Sequence, residues 1–358
     1  MEKETVLVGL SGGVDSAATA VILKEQGYRV IGATMLIWDP SLPVPKGGHQ
    51  KNACLAPEKE DLSEIESIVQ KLGIDFLTVD CREEYKHTVL DNFRLEYACG
   101  RTPNPCVLCN SLIKFGVLPS AAAKQGIQFD KFATGHYARV EKDEATGQYL
   151  LKKAVDLSRD QSYFLHRLKQ EQLAHVLFPL GAKTKPEIRE KARQAGLKVA
   201  DKEDSMDFYC GDYNDLLNFP NKPGDMVTLD GKIIGRHNGI WNYTIGKRKG
   251  LGLSGFARPM YVVKIDAQKN QVIIGPKEAL YSNTLRAENV SWVAGVPPAQ
   301  AFDCEVKIRN LHQPAPAHIT VEKDGFTAQF SEPQMSITAG QSAVLYQGDI
   351  VLGGGVIV

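Results

Sequence analysis

The sequence predicts a doubly wound α/β domain built on a parallel sheet, followed by a small connecting domain and a C-terminal antiparallel β-barrel. Three observations carry this. In the first half, apolar β-branched runs alternate with helical segments, the order of a parallel sheet. The first run, VLVGLSGGVDS from Val6 to Ser16, breaks into a glycine-bearing loop and opens a helix, AATAVILKEQ. From about residue 220 the pattern changes to short alternating runs bounded by turns, as in antiparallel sheet.

Taken in order, RVIGATML (29–36) predicts a strand, DLSEIESIVQKLG (61–73) a helix, DFLTVDC (75–81) a strand and EYKHTVLDNFRLEYACG (84–100) a helix. A helix near 111–125 and the strand KFATGHYARV (131–140) complete the sheet domain, whose ligand site belongs at the strand carboxyl ends. Between them, DPSLPVPKGGHQKNACLAPEKE (39–60) is rich in Pro, Gly and Lys and reads either as a mobile lid or as an insertion without function. TKPE sets Thr184 three residues before Glu187, with Pro186 in the first turn and Gly196 beyond the end, which predicts a capped helix over 186–195. It reads as the last helix of the first domain. The runs MVTLDGKIIG, MYVVKIDAQKNQVIIG, CEVKIRN, HITVEKDGFTAQF and SAVLYQGDIVLGGGVIV then carry hairpin signals such as Asp230-Gly231 and Asp324-Gly325. The expected domains are 1–208, 209–280 and 281–358.

With 358 residues the chain is long enough for two or three domains. Lys+Arg and Asp+Glu are both 42, so a nucleic-acid partner has to be held by a local basic face. MEKETVLVGL runs straight into the first strand without a signal peptide, and no apolar run is expected to reach the ~20 residues of a membrane span. A cytoplasmic protein with no membrane association is the expectation. Seven cysteines, two of them in Cys106-x-x-Cys109, fit functional thiols in a reduced compartment better than a disulfide framework.

Two motifs carry chemistry. In the first loop Gly12 and Gly13 let the backbone approach a ligand, N–H groups can form an anion-binding concavity, and the helix dipole adds to it. Val14, Asp15 and Ser16 stand where a Walker loop has Gly-Lys-Ser/Thr, so SGGVDS resembles instead the pyrophosphatase loop of enzymes that cleave ATP between its α and β phosphates. An ordinary glycine turn is the alternative. In TPNPCVLCN (102–110) two prolines and an asparagine are expected to fix a rigid turn that holds both sulfurs. A thiolate there suits a nucleophile, a redox partner or a metal ligand, and a zinc knuckle or an inert packed pair are the plainer readings.

SGGVDS, GRTPNPxxxCN with IKF after it, ATGHYAR (133–139), RDQSYFL (159–165), YTIGKRKGLG (243–252) and KIRNLHQPAPA (307–317) together resemble the tRNA-specific 2-thiouridylase family over nearly the whole chain. The resemblance implies replacement of the C2 oxygen of the wobble uridine by sulfur in tRNAs for Lys, Glu and Gln, with ATP and Mg2+ and a sulfur-donor protein, a cysteine desulfurase or relay carrier. It implies that Gly9, Leu10, Ser11, Gly12, Gly13, Val14, Asp15 and Ser16 hold the phosphates, Asp15 lying near magnesium or the pyrophosphate, and that Met35 and Gly135 contact adenosine. Cys109 matches the catalytic cysteine. The second cysteine of the family usually lies four residues beyond a serine, where this chain has Tyr209, and Cys210 is one residue displaced; Cys106 stands where an Asp is common. Cys210 is then the persulfide carrier that Cys109 resolves, or Cys106, Cys109 and Cys210 hold a four-iron four-sulfur cluster. Asn104, Pro105 and Cys106 match contacts to the target base, and Arg159, Asp160, Gln161, Lys247, Arg248, Arg309, Asn310 and Gln341 match contacts to tRNA. Lys247 and Arg248 read otherwise as a solvated turn. His136 is a further active-site candidate, or a strand-end hydrogen bonder. Outside the resemblance, an adenylating ligase or amidotransferase for a small molecule, or an RNA-binding protein without catalysis, remain open. Cys54, Cys81, Cys99 and Cys304 lie outside the matched motifs.

Overall fold

The computed structural model describes residues 3–42, 53–56, 62–204 and 207–358. Strands β1 (Thr5–Gly9), β2 (Arg29–Leu36), β4 (Asp75–Asp80), β5 (Lys131–Ala133) and β8 (Val176–Leu177) form one sheet in the order β4-β2-β1-β5-β8. All its pairings are parallel, and both faces are covered, which is why Val6, Leu7 and Val8 are all fully buried. The order reverses between β1 and β5, and the carboxyl ends of those two strands form the switch point where such sheets bind ligands.

The helices follow the apolar runs with informative departures. Helix α1 (Val14–Glu25) and α2 (Ser63–Leu72) stand where expected. Helix α3 runs from Arg82–Tyr85 through a π-helical stretch, Lys86–Leu90, into Asp91–Ala98. Helix α4 spans Pro105–Lys124, so the expected helix near 111–125 starts some two turns earlier and takes in the segment read as a rigid turn. At 20 residues α4 is also long and apolar enough to cross a membrane by length and composition, contrary to the expectation that no such run exists. Its Cys109, Ile113, Phe115, Leu118 and Ala122 lie in the main core. Helix α5 (Lys185–Gln194) begins at a capping box between Thr184 and Glu187.

The strand expected over 131–140 breaks. β5 stops at Ala133, residues 134–137 turn away, and β6 (Ala138–Lys142) pairs with β7 (Tyr149–Lys153). β7 in turn pairs with the last strand of the barrel through Lys152 and Ile350. Within the segment expected to be a lid, β3 (Ala53–Leu55) pairs in parallel with β9 (Asp207–Tyr209); 43–52 and 57–61 lie outside the described residues.

The connecting domain holds a four-stranded sheet, β11-β10-β13-β12, from β10 (Gly224–Thr228), β11 (Ile233–His237), β12 (Tyr261–Asp266) and β13 (Gln271–Gly275). The C-terminal strands are β14 (Tyr281–Trp292), β15 (Ala301–Lys307), β16 (Ala315–Glu322), β17 (Gly325–Met335), β18 (Ser342–Gln347) and β19 (Ile350–Ile357), and the β14–β19 pairing closes them into a barrel. β14, absent from the sequence reading, is the strand that performs the closure. The barrel interior is filled by Val306, Ile319, Phe326, Ala328 and Leu345 among others.

Candidate active site

The glycine loop sits at the switch point. Leu10 N donates to Ala33 O at 2.7 Å, and its buried side chain covers Gly32, where a Cβ would fall 2.6 Å from Leu10 Cδ1. Gly12 has φ +71°, a left-handed conformation that favours glycine. Ser16 Oγ accepts from Ser11 N and donates to Gly13 O, both at 3.1 Å, drawing the loop into a bowl. Helix α1 has no side-chain cap at Gly13, so its first N–H groups are open to an anion. Leu10 and Val14 point into the core and offer only their backbone. Met35, half-buried, stands at the carboxyl end of β2 beside this loop. Gly135 lies against it: a Cβ there would come 2.8 Å from both the Asp15 carbonyl carbon and Ser16 N.

Asp15 is engaged by side chains that the sequence reading did not single out. Its oxygens accept from Lys185 Nζ at 2.7 and 2.9 Å, and Oδ1 also from Tyr137 OH at 2.9 Å. Lys185 pairs at 2.7 Å with Asp204, which Arg159 and Arg189 reach at 2.8 and 3.4 Å. Burial raises the Asp204 carboxyl, but Lys185, Arg159 and Arg189 outweigh it and hold the group below the usual range. This network ties the first turn of α1 to α5. Mg2+ takes most of its ligands from water and substrate phosphates and needs one or two carboxylates. Asp15, 30% exposed at the mouth of the loop, fits such a role.

On α4, Asn104 is the residue before the first turn and buried Pro105 is the first helical residue. Cys106 and Cys109 are therefore presented three residues apart on a helix, on one face. Burial pushes the Cys106 thiol up to about 12 and that of Cys109 up to about 11, with Lys114 acting against it at both. Cys210 follows β9 and is buried. Cys54, on the neighbouring β3, is close enough for its charge to act on Cys106 and Cys109; the sequence set it aside. Among the described residues no three His, Cys, Asp or Glu side chains group closely enough to hold a metal ion. As placed, Cys106, Cys109 and Cys210 do not fit an iron-sulfur cluster.

His136 joins the two halves of the site. Its Nδ1 lies 2.7 Å from Thr134 Oγ1, and its ring packs against Phe115 of α4 at 5.7 Å and Phe178 at 6.1 Å. Burial, then the charge of Lys114, keeps the imidazole neutral, well below the ordinary histidine range.

The residues expected to meet tRNA divide into two groups. Lys247 and Arg248 are exposed, Lys247 donating to Asn242 O at 2.7 Å above the Tyr243 ring. Arg309 lines a cavity of about 820 Å³ in the barrel, and the side-chain oxygen of the neighbouring Asn310 is buried with no hydrogen-bond partner among the described residues. Arg159 is also exposed, its guanidinium paired with Asp204, and the remaining ones are turned inward. Asp160 accepts from Ala154 N and from the Ser162 backbone and hydroxyl, and Gln161 accepts from Tyr137 N. Gln341 donates to Thr102 O at 2.8 Å, fastening the TPNP segment to the barrel.

The chain matches three family models in succession: the tRNA methyl transferase HUP domain over residues 4–210, the tRNA methyl transferase PRC-barrel domain over 217–276, and the aminomethyltransferase beta-barrel domain over 282–357. It is 54% identical to a protein of Endomicrobium trichonymphae named tRNA-specific 2-thiouridylase MnmA, with 100% of both chains covered. Proteins of the same name from Heliobacterium modesticaldum and Geotalea uraniireducens are 44% and 42% identical, each over 99% of this chain and 93% and 95% of theirs. The glycine loop, the paired thiols on α4 and the closed barrel thus stand in a chain that belongs to the tRNA-specific 2-thiouridylase family.

Proposed function

We propose that this chain catalyses ATP-dependent 2-thiolation of the wobble uridine of tRNA, with tRNAs for Lys, Glu and Gln as substrates, in the cytoplasm. The observation that carries this reading is the Gly135-His136 pair. One residue touches the phosphate loop and the next packs on the thiol helix, so a base placed between them meets both reagents.

The uracil C2 carbonyl is a poor electrophile, and adenylation supplies the leaving group it lacks. Its oxygen attacks the α-phosphorus of ATP held by Gly9 to Ser16, and pyrophosphate departs; Asp15 would hold a Mg2+ ion, which would supply charge to offset the phosphates. The terminal sulfur of a persulfide on Cys210, loaded by a donor protein, adds to C2 and AMP leaves with the oxygen. Cys109 thiolate then attacks the Cys210 sulfur. The S–S bond of the persulfide breaks, its outer sulfur stays on C2 as the thiocarbonyl, and a 109–210 disulfide is left for a dithiol donor to reduce. Neutral His136 suits hydrogen bonding to the base rather than charge pairing. Exposed Lys247 and Arg248 supply phosphate contacts, while Asn104 and Pro105 shape the entry to the thiols.

The products of labelled ATP decide the reaction class. AMP and pyrophosphate formed only with tRNA are expected, because the loop lacks a Walker lysine. ADP and phosphate would overturn this reading, and pyrophosphate release driven by a small carboxylate without tRNA would favour a ligase or amidotransferase.

A further inference from the structure

Where α4 carries Cys109 it is not α-helical: Cys109–Val117 is a π-helix. Such stretches are rare and occur often at functional sites. In an α-helix, five residues carry a side chain roughly 140° beyond a full turn, and Lys114 would point away from Cys109. In a π-helix the i→i+5 bond sets residues five apart nearly above one another. The local winding therefore turns Lys114 onto the Cys109 face, with Cys106 one turn earlier.

Lys114 has no ion pair or hydrogen bond among the described residues. The groups that act on its ammonium are the thiols of Cys109, Cys54 and Cys106, and their combined influence overcomes the burial that disfavours its charge. From the neighbouring elements, neutral His136 feels the charge of Lys114, Asp207 of β9 acts on Cys106, and the three thiols act on buried Tyr85 of α3. A lysine half-buried among apolar groups keeps its charge at a cost that a nearby anion offsets. Sulfur is the anion source that surrounds it.

We infer that Lys114 is the counter-cation of the reacting sulfur, a positioning residue whose charge favours the Cys109 thiolate that cleaves the persulfide. This rests on the thiolation reading, so one readout is independent of it. Lys114→Met and Lys114→Arg are made in the full chain. Alkylation of Cys109 by iodoacetamide near neutral pH is followed by peptide mass spectrometry without ATP or tRNA, and pyrophosphate release and tRNA thiolation are followed in parallel. The Met variant is expected to alkylate Cys109 and to thiolate at least about tenfold more slowly, because the thiolate is the nucleophile, while pyrophosphate release persists. Lys114→Arg is expected to recover most of both rates. Unchanged Cys109 alkylation in the Met variant, or equal loss in Met and Arg, would overturn the assignment. Loss of pyrophosphate release together with thiolation would also overturn it, since the lysine would then serve the fold. A wild-type chain that shows no tRNA-dependent pyrophosphate release would instead overturn the thiolation reading and leave the alkylation result standing.

Discussion

Gly135 has no room for a side chain, because a Cβ would sit 2.8 Å from the backbone of Asp15 and Ser16. Gly135→Ala is expected to push the loop out of its bowl and weaken ATP binding at least tenfold, roughly 1.4 kcal/mol, in a calorimetric titration; unaltered affinity would show that the loop tolerates the displacement. Lys185 presents a different dependence. With its side chain 7% exposed, it separates Asp15 from Asp204, and removing it leaves two carboxylates facing one another in a partly buried site. Lys185→Met is expected to cost about 3 kcal/mol and to lower Tm by roughly 5–10 °C. A thermal scan at the wild-type Tm would contradict the clamp. Gln341 separates two roles at a single residue. A tRNA contact predicts that Gln341→Ala raises KM for tRNA, whereas its bond to Thr102 O predicts a lower kcat through a displaced α4, which is the outcome expected here from steady-state kinetics.

At the level of elements, the sequence is most legible where the signal is local. The apolar run, glycine loop and helix of residues 5–25, the Thr184-Glu187 box and the hairpins at Asp230-Gly231 and Asp324-Gly325 each state their structure within a few residues. Pro105 was open to two readings, since a proline serves a turn and the first residue of a helix equally well, and here it starts α4. The break after Ala133 was hidden because Thr134 to Tyr137 continue a strand-like pattern while the chain leaves one sheet for another. Cys54 was illegible for a deeper reason. Its place depends on the pairing of β3 with β9, more than 150 residues along the chain, and no local pattern encodes that. The π-helical winding that brings Lys114 round is a matter of one residue of register. For the thiols, Cys109→Ser and Cys210→Ser are expected to abolish thiolation and Cys106→Ser to impair it, with a 109–210 disulfide after a single turnover without reductant. A 54–109 disulfide in its place, seen by peptide mapping, would make Cys54 the second thiol.

In the whole molecule the domains meet at the entrance to α4. Thr102 N donates to Ala339 O of the barrel at 2.8 Å, Thr102 Oγ1 to Thr244 of the connecting domain at 3.4 Å, and a Cβ on Gly100 would strike Ile265 at 2.6 Å. The thiols are thus placed by all three domains, and β6 and β7 of the first extend the sheet of the third. His166 lies inside that joint, fully buried. Its Nδ1 is 2.8 Å from Tyr163 O, its Nε2 has no partner among the described residues, and a Cβ on Gly354 of β19 would fall 2.7 Å from its Cδ2. Burial lowers its ring to about 4 despite the Tyr163 carbonyl, which acts the other way. Because the folded value lies below the ordinary 6.5, the unfolded chain takes up the proton first as pH falls. The stabilisation is therefore complete above about pH 6.5 and is lost as pH falls toward about 4, by about 3 kcal/mol in all. Asp204 and Asp349, whose carboxyls are held low by paired cations, add their losses only below the ordinary 3.8, so the two windows separate. His166→Met removes the proton site without emptying the joint. Urea unfolding at pH 7 and pH 4.5 is expected to show a steep fall in stability for the wild type and a fall smaller by nearly that full amount for the variant. Equal falls in the two proteins would place the acid sensitivity elsewhere and leave the joint between the ATP domain and the barrel indifferent to the charge of His166.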